Sequence, residues 1–277
     1  MFSPVPTHTT FGFDGSSVTA PIENDDCPSK MGENVTPALA VDWTDLFWNP
    51  QESGWGVNFV QSGNFIFATF FLYGDTLQPT WYTGQMTVDS TGIWIGPLYL
   101  TGGSYFGGPW VPGQRTTAQV GLVTFVPNPL KTGGTLTYNV GAVNVTKQIT
   151  RQTLQTIAIG GDYFGGLVSV YSGCATATNN GTLRLYSEFK ATQTAAGQLH
   201  LDFTIQNNVT CKIAGAYVQD GSWFRIPNAA YTCSDGLATN ATVSDVKGTN
   251  QGLEGQWVAR GMGDGCTEAA YFSAVLY

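Results

Sequence analysis

The chain has 277 residues, 42% of them hydrophobic, enough for one large domain or two ordinary ones with a sizeable core. Only 11% are charged, against roughly 25% in an average soluble domain, and 35 are glycine where the usual share of roughly 7% would give about 19; this low-charge, glycine-rich composition is typical of extracellular β proteins. Eleven basic residues against nineteen acidic ones leave a net charge of -8, which excludes nucleic acid as a main partner because phosphate recognition needs a basic face.

Taken in chain order, residues 1–40 read as an extended arm. Pro4, Pro6, Pro21, Pro28 and Pro37 interrupt them, and Cys27 follows the acidic cluster Glu23-Asn24-Asp25-Asp26. The opening MFSPVPTHTT lacks the basic start and apolar core of a signal peptide, so export would require a leader removed before this numbering. No window of about 18 apolar residues is present to cross a membrane as a helix.

From Val41 the chain becomes short apolar runs between Gly, Pro and Asn, without helical periodicity. Strands are predicted at 56–61, 64–73, 80–88, 92–100, 119–126, 134–140 and 145–152, bounded by turns such as Ser62-Gly63 and Gly74-Asp75. After Gly160-Gly161 the pattern restarts, with strands at 163–171, 182–191, 198–205, 210–219, 222–233, 256–260 and 267–276. The expected fold is all-β: two consecutive antiparallel β-barrels or β-sandwiches, lipocalin-like or calycin-like barrels among the options, at 41–156 and 157–277. The echo between GTLTYNV at 134–140 and GQLHLDF at 197–203 fits a common hairpin better than a duplication.

Four of the five cysteines fall between residues 174 and 266, too widely spaced for a zinc CxxC pair. A hairpin about Asp220-Gly221-Ser222 would set Cys211 opposite Cys233, within disulfide reach, and elimination leaves Cys174 with Cys266. Cys27 would then be free or linked to another chain.

The stretch WNPQESGWGVNFVQSGNFIFATFFLYGDTLQPTWYTG, with the later GGTLTYNVGAVNVTKQITRQ, resembles a largely uncharacterised family of secreted bacterial β proteins over about residues 42–154. GGDYFGGLVSVYSGC, CKIAGAYVQDGSWFRI and AAYTCSDG resemble a companion module that often follows that domain. The resemblance implies an exported β protein and supplies no catalytic residue.

Two readings of WNPQESGWG compete. In one, Trp48, Trp55, Trp81 and Tyr82 form an aromatic wall with Glu52 as polar anchor, suited to a sugar or a flat apolar ligand. In the other, which the residues favour, Asn49-Pro50 opens a turn, Gly54 and Gly56 allow close backbone approach, Trp55 plugs a barrel end and Glu52 accepts backbone hydrogen bonds. The strand 64–73 is apolar on both faces, with Phe65, Phe67, Phe71 and Tyr73 on one and Ile66, Ala68, Phe70 and Leu72 on the other, so cover is expected on both sides.

Signals for catalysis are thin. His8 lies in the arm, and His200 alternates with Leu199 and Leu201 as a solvated strand position would. No imidazole metal site or cofactor is implied. Ser53 is outside any GxSxG elbow; Asp42, Asp45 and Glu52 could supply a carboxylate pair for glycoside hydrolysis but suit solvated turns better. The leading expectation is therefore a secreted or cell-surface, non-catalytic module binding an apolar or carbohydrate ligand. Its alternatives are a self-assembling surface or fibre subunit exchanging residues 1–40, and a hydrolase of an extracellular polymer.

Overall fold

The computed structural model describes residues 8–13, 16–21, 41–249 and 251–277. Within the segment expected to be an extended arm, β1 (His8–Phe13) and β2 (Ser16–Pro21) pair antiparallel, from His8 opposite Pro21 to Phe13 opposite Ser16. A two-stranded ribbon has only edges, where a proline's missing N–H is tolerated, so Pro21 does not prevent pairing. Cys27 lies outside the described residues.

The first barrel consists of β3 (Asp45–Trp48), β4 (Gly56–Ser62), β5 (Phe65–Tyr73), β6 (Pro79–Val88), β7 (Trp94–Gly102), β8 (Thr116–Pro127), β9 (Gly133–Val140) and β10 (Val143–Arg151). Each strand is antiparallel to the next, and β10 closes on β3 through Thr150 opposite Trp48 and Arg151 opposite Phe47. The seven strands predicted here are present. The eighth, β3, is only Asp-Leu-Phe-Trp, too short for its period to show in the sequence.

The second barrel runs β11 (Gly161–Ser172), β12 (Gly181–Gln193), β13 (Gln198–Thr204), β14 (Thr210–Ala216), β15 (Val218–Asp220), β16 (Trp223–Cys233), β17 (Ala238–Gly248), β18 (Gly252–Arg260) and β19 (Thr267–Leu276). It closes because β11 pairs with both β12 and β19 while β14 pairs with β16; β15 continues the line of β14 beyond Tyr217. The predicted strands omit β17. Its buried Ala241 and Val243 change phase to Val246 at an irregularity where Asp245 has φ 53°, so no run of alternation survives in the sequence.

Both disulfides join the expected partners. Cys211 lies directly opposite Cys233 across β14 and β16, and Cys174 bonds Cys266 over a separation of 92 residues. A loop of that length corresponds to about 4–5 kcal/mol of stabilisation in the chain-entropy model.

Inward-facing residues fill each barrel. In the first, Trp43, Phe47, Phe59 and Phe125 pack with ring centroids 4.9 to 6.3 Å apart, and Ile66, Ala68, Phe70, Met86, Leu98 and Leu136 are fully buried. Each large side chain so buried contributes about 1.5–3 kcal/mol.

The barrels meet at a polar junction on Arg151. Its guanidinium donates to Asp45 Oδ2 (2.9 Å) and to the Asp42 carbonyl (2.7 Å), and lies 5.3 to 5.4 Å from the rings of Trp43, Phe47 and, across the junction, Trp223. Asp45 Oδ2 also accepts from the Ser222 amide and hydroxyl of the second barrel, both at 3.1 Å. Lys131 pairs with Asp245 at 2.8 Å and Lys247 with Asp42 at 2.5 Å, each bond crossing between barrels. Gly221 is required twice over: its φ is +63°, and a Cβ there would stand 2.3 Å from Asp45 Oδ2.

With the Arg151 side chain only 1% exposed, Asp45→Ala would strand a buried cation. A loss of about 3–5 kcal/mol is expected, read as a lowered denaturant midpoint. Burial tends to raise the Asp42 carboxyl, but its hydrogen bonds to Lys247 and Thr44 outweigh this and hold it below its ordinary 3.8. A lowered folded value means that this contribution is present above the unfolded pKa and is lost as pH falls through the folded one. Acid unfolding should therefore be less pH-dependent in Asp42→Asn than in the parent.

Candidate functional site

Because the junction occupies one end of the first barrel, the loops at the other, distal end are those joining β3 to β4, β5 to β6, β7 to β8 and β9 to β10. WNPQESGWG forms the first of these. The Asn49 side chain accepts the Gln51 amide at 2.9 Å, the Asn49 carbonyl accepts the Glu52 amide at 3.0 Å, and Gly54 takes φ 110°. At Gly56 a Cβ would press to 3.0 Å from the Phe47 carbonyl. The turn expected from Asn-Pro and the two glycines is therefore the geometry observed.

Glu52 differs from the turn reading in what it binds. Instead of backbone amides, its Oε2 accepts from Lys147 Nζ at 2.6 Å and from the Trp55 indole at 3.2 Å, with Lys147 5.9 Å from the Trp55 ring centroid. Lys147 holds the Glu52 carboxyl below its ordinary value. Beneath this latch, burial and then the charge of Glu52 push the Tyr138 phenol up, and Tyr138 packs 5.3 Å from Phe70.

The four aromatic residues of the wall reading are dispersed. Trp81 and Tyr82 are consecutive on β6 and so face opposite sides of the sheet: Trp81 outward and 61% exposed, Tyr82 inward towards the latch. Trp48 points outward from β3, three strands round from β6, and Trp55 stays with Glu52. What Trp81 does join is a cleft of about 490 Å³ lined by Gly54, Phe71, Tyr73, Pro79, Trp81 and Leu100, among others. Phe71 lies directly opposite Trp81 in the ladder, and Tyr73 opposite Pro79. On the other side of the WNPQESGWG loop, a polar groove of about 500 Å³ is lined by Asn49, Gln51, Glu52, Lys147, Gln148 and Thr150, among others. One loop thus borders both depressions.

The cleft residues Phe71, Tyr73 and Leu100 had no place in the wall reading, although the doubly apolar β5 signalled two of them. Its inward face is covered as expected, with Ile66, Ala68 and Phe70 fully buried. Its outward face is not: Phe65, Phe67, Phe71 and Tyr73 are 37%, 38%, 46% and 59% exposed. Between Gly56 and Val126 the only charged residues are Asp75, Asp89 and Arg115, all in connecting loops, so the exterior of β4 to β8 carries no charge.

The carboxylates considered for hydrolysis are separated. Asp42 and Asp45 are engaged at the junction, while Glu52 sits at the distal end in the latch. His200 is half-buried between the buried Leu199 and Leu201. No group of three or more His, Cys, Asp or Glu side chains suited to a metal occurs among the described residues.

A second acidic site lies inside the second barrel, unmarked by any sequence motif. Glu268 is 1% exposed; its carboxylate accepts from the Trp257 indole and the Tyr171 hydroxyl, both at 3.1 Å, while the buried Ser169 hydroxyl beside them has no partner. Burial first, then the charge of Glu268, drives the Tyr171 and Tyr231 phenols upward. This cluster lies among the buried core residues of the second barrel.

Neither the models of known protein families nor the curated proteins contain a match to this chain.

Removing the Glu268 carboxylate orphans the buried Trp257 indole, at a cost of about 1–3 kcal/mol, and the half-buried Tyr171 hydroxyl. Glu268→Ala should therefore lower the thermal midpoint markedly, and Glu268→Gln, which retains one carbonyl acceptor, should lower it less.

Proposed function

We propose that this chain is an exported, non-catalytic binding module that holds an apolar or carbohydrate ligand in the cleft at the distal end of its first barrel. The supporting observation is the exposure of Trp81, Tyr73 and Phe71 side by side at the cleft, where solvent-facing rings have no packing role to explain them. Two disulfides suit an oxidising compartment, and the resemblance to secreted bacterial β proteins supports export.

Self-assembly is the second reading. It is favoured by the β1–β2 ribbon, whose two open edges could each accept a strand from a neighbour; sedimentation of the full chain and of a form lacking residues 1–40 would test it, with identical monomeric behaviour ending that reading. The hydrolase reading gains no support from the separated carboxylates.

Titration of tryptophan fluorescence with a long-chain fatty alcohol and with a neutral oligosaccharide tests the binding role. At least one should give a saturable change that Trp81→Ala weakens by about tenfold, about 1.4 kcal/mol, while the outward position of residue 81 leaves the barrel folded. Saturable binding of equal strength in the variant, or no response to either probe, would refute the cleft.

A further inference from the structure

The exterior of β5 and β6 has an order that a cleft for one small ligand does not need. Phe65, Phe67, Phe71 and Tyr73 follow one another along the outer face of β5, and their eight residue steps, at about 3.3–3.4 Å each, make a row about 27 Å long that leads from the junction side to the cleft. Beside it on β6 runs a parallel line of uncharged hydrogen-bonding side chains: Thr87 opposite Phe65, Gln85 opposite Phe67 and Thr83 opposite Thr69. At the distal end Trp81 takes the place of the polar residue, opposite Phe71.

We infer that this face binds an extended, neutral polysaccharide chain laid along β5, with one end seated in the cleft; the inference rests on the binding reading above and names its ligand class. Three features select that occupant. Rings exposed in a line offer stacking faces for successive sugar rings, whose C–H groups are apolar while their rims carry hydroxyls. The neighbouring Thr and Gln side chains both donate and accept, as hydroxyl groups require, whereas a lipid tail would gain nothing from them. The absence of charge across five strands, on a chain of net charge -8, leaves no partner for an acidic polymer and no basic patch for an anionic surface.

Depletion assays with amorphous cellulose and chitin, against polygalacturonate and phosphatidylcholine vesicles, would test this with the full chain. Saturable binding to a neutral polymer is expected, unchanged by raised salt because no ion pair is formed, and tighter for a long oligomer than for a short one. Phe67→Ser, whose side chain faces outward and away from the cleft, should weaken the long oligomer by about tenfold and leave the short one unaffected; Trp81→Ala should weaken both. A thermal midpoint close to the parent's would show that the Phe67 variant is folded. Undiminished polymer binding by folded Phe67→Ser, preference for polygalacturonate, or capture by vesicles alone would each overturn the inference. If polymers fail while a small probe still binds in a Trp81-dependent manner, the cleft stands and only the extended site falls.

Discussion

The arrangement of the two barrels depends on one guanidinium. Arg151 is the last residue of β10, so it stands where the first barrel closes on β3 and also where that barrel meets the second. Burial disfavours its charge, and Asp45 is foremost among the groups that offset this. Asp45 is fixed in turn by Ser222 from the second barrel. A buried pair of this kind adds little net stability compared with a well-packed apolar substitute; its consequence is geometric, since planar, directional donors define one orientation where an apolar contact would tolerate several.

Nine charged residues lie between Asp42 and Arg151, and Asp42, Asp45, Lys131 and Arg151 all converge on the junction. Glu52 and Lys147 pair with each other at the distal end, and the remaining three lie in loops. The outer sheet surface is left without charge, and its two sides then differ only in the kind of neutral residue they carry. On β9 and β10 it is Thr and Gln, which bond to one another across the ladder; on β5 it is aromatic. The first side is complete in itself, whereas the second is not.

Legibility followed period length. A strand with five or more residues of alternation, such as β9, stands out, as do the unbroken apolar run of β5, the Gly-rich turns and the hairpin that sets Cys211 against Cys233. What a two-residue period cannot convey is a four-residue strand or a strand whose phase changes partway, and β3 and β17 are those cases. The aromatic wall is dispersed for a related reason: Trp81 and Tyr82 are neighbours in sequence but, as consecutive strand residues, face apart. Arg151 and Glu268 were invisible because each is a single residue whose partners come from distant strands. The WNPQESGWG motif, conversely, carried its turn chemistry openly in Asn49, Pro50, Gly54 and Gly56, while its Glu52 found Lys147, a partner 95 residues away.

The filled interior accounts for one of the two apolar faces of β5. An eight-stranded barrel has an interior just wide enough for its own side chains or for one small ligand, and here Phe47, Phe59, Phe70 and Phe125 occupy it with no exposure to solvent. That interior is the place where barrels of this strand number often hold a ligand. The outside of an antiparallel strand is the alternate set of the same residues. Phe65, Phe67, Phe71 and Tyr73 interleave with Ile66, Ala68 and Phe70, so the strand builds the core with one half of its residues and presents the other half, aromatic, to solvent.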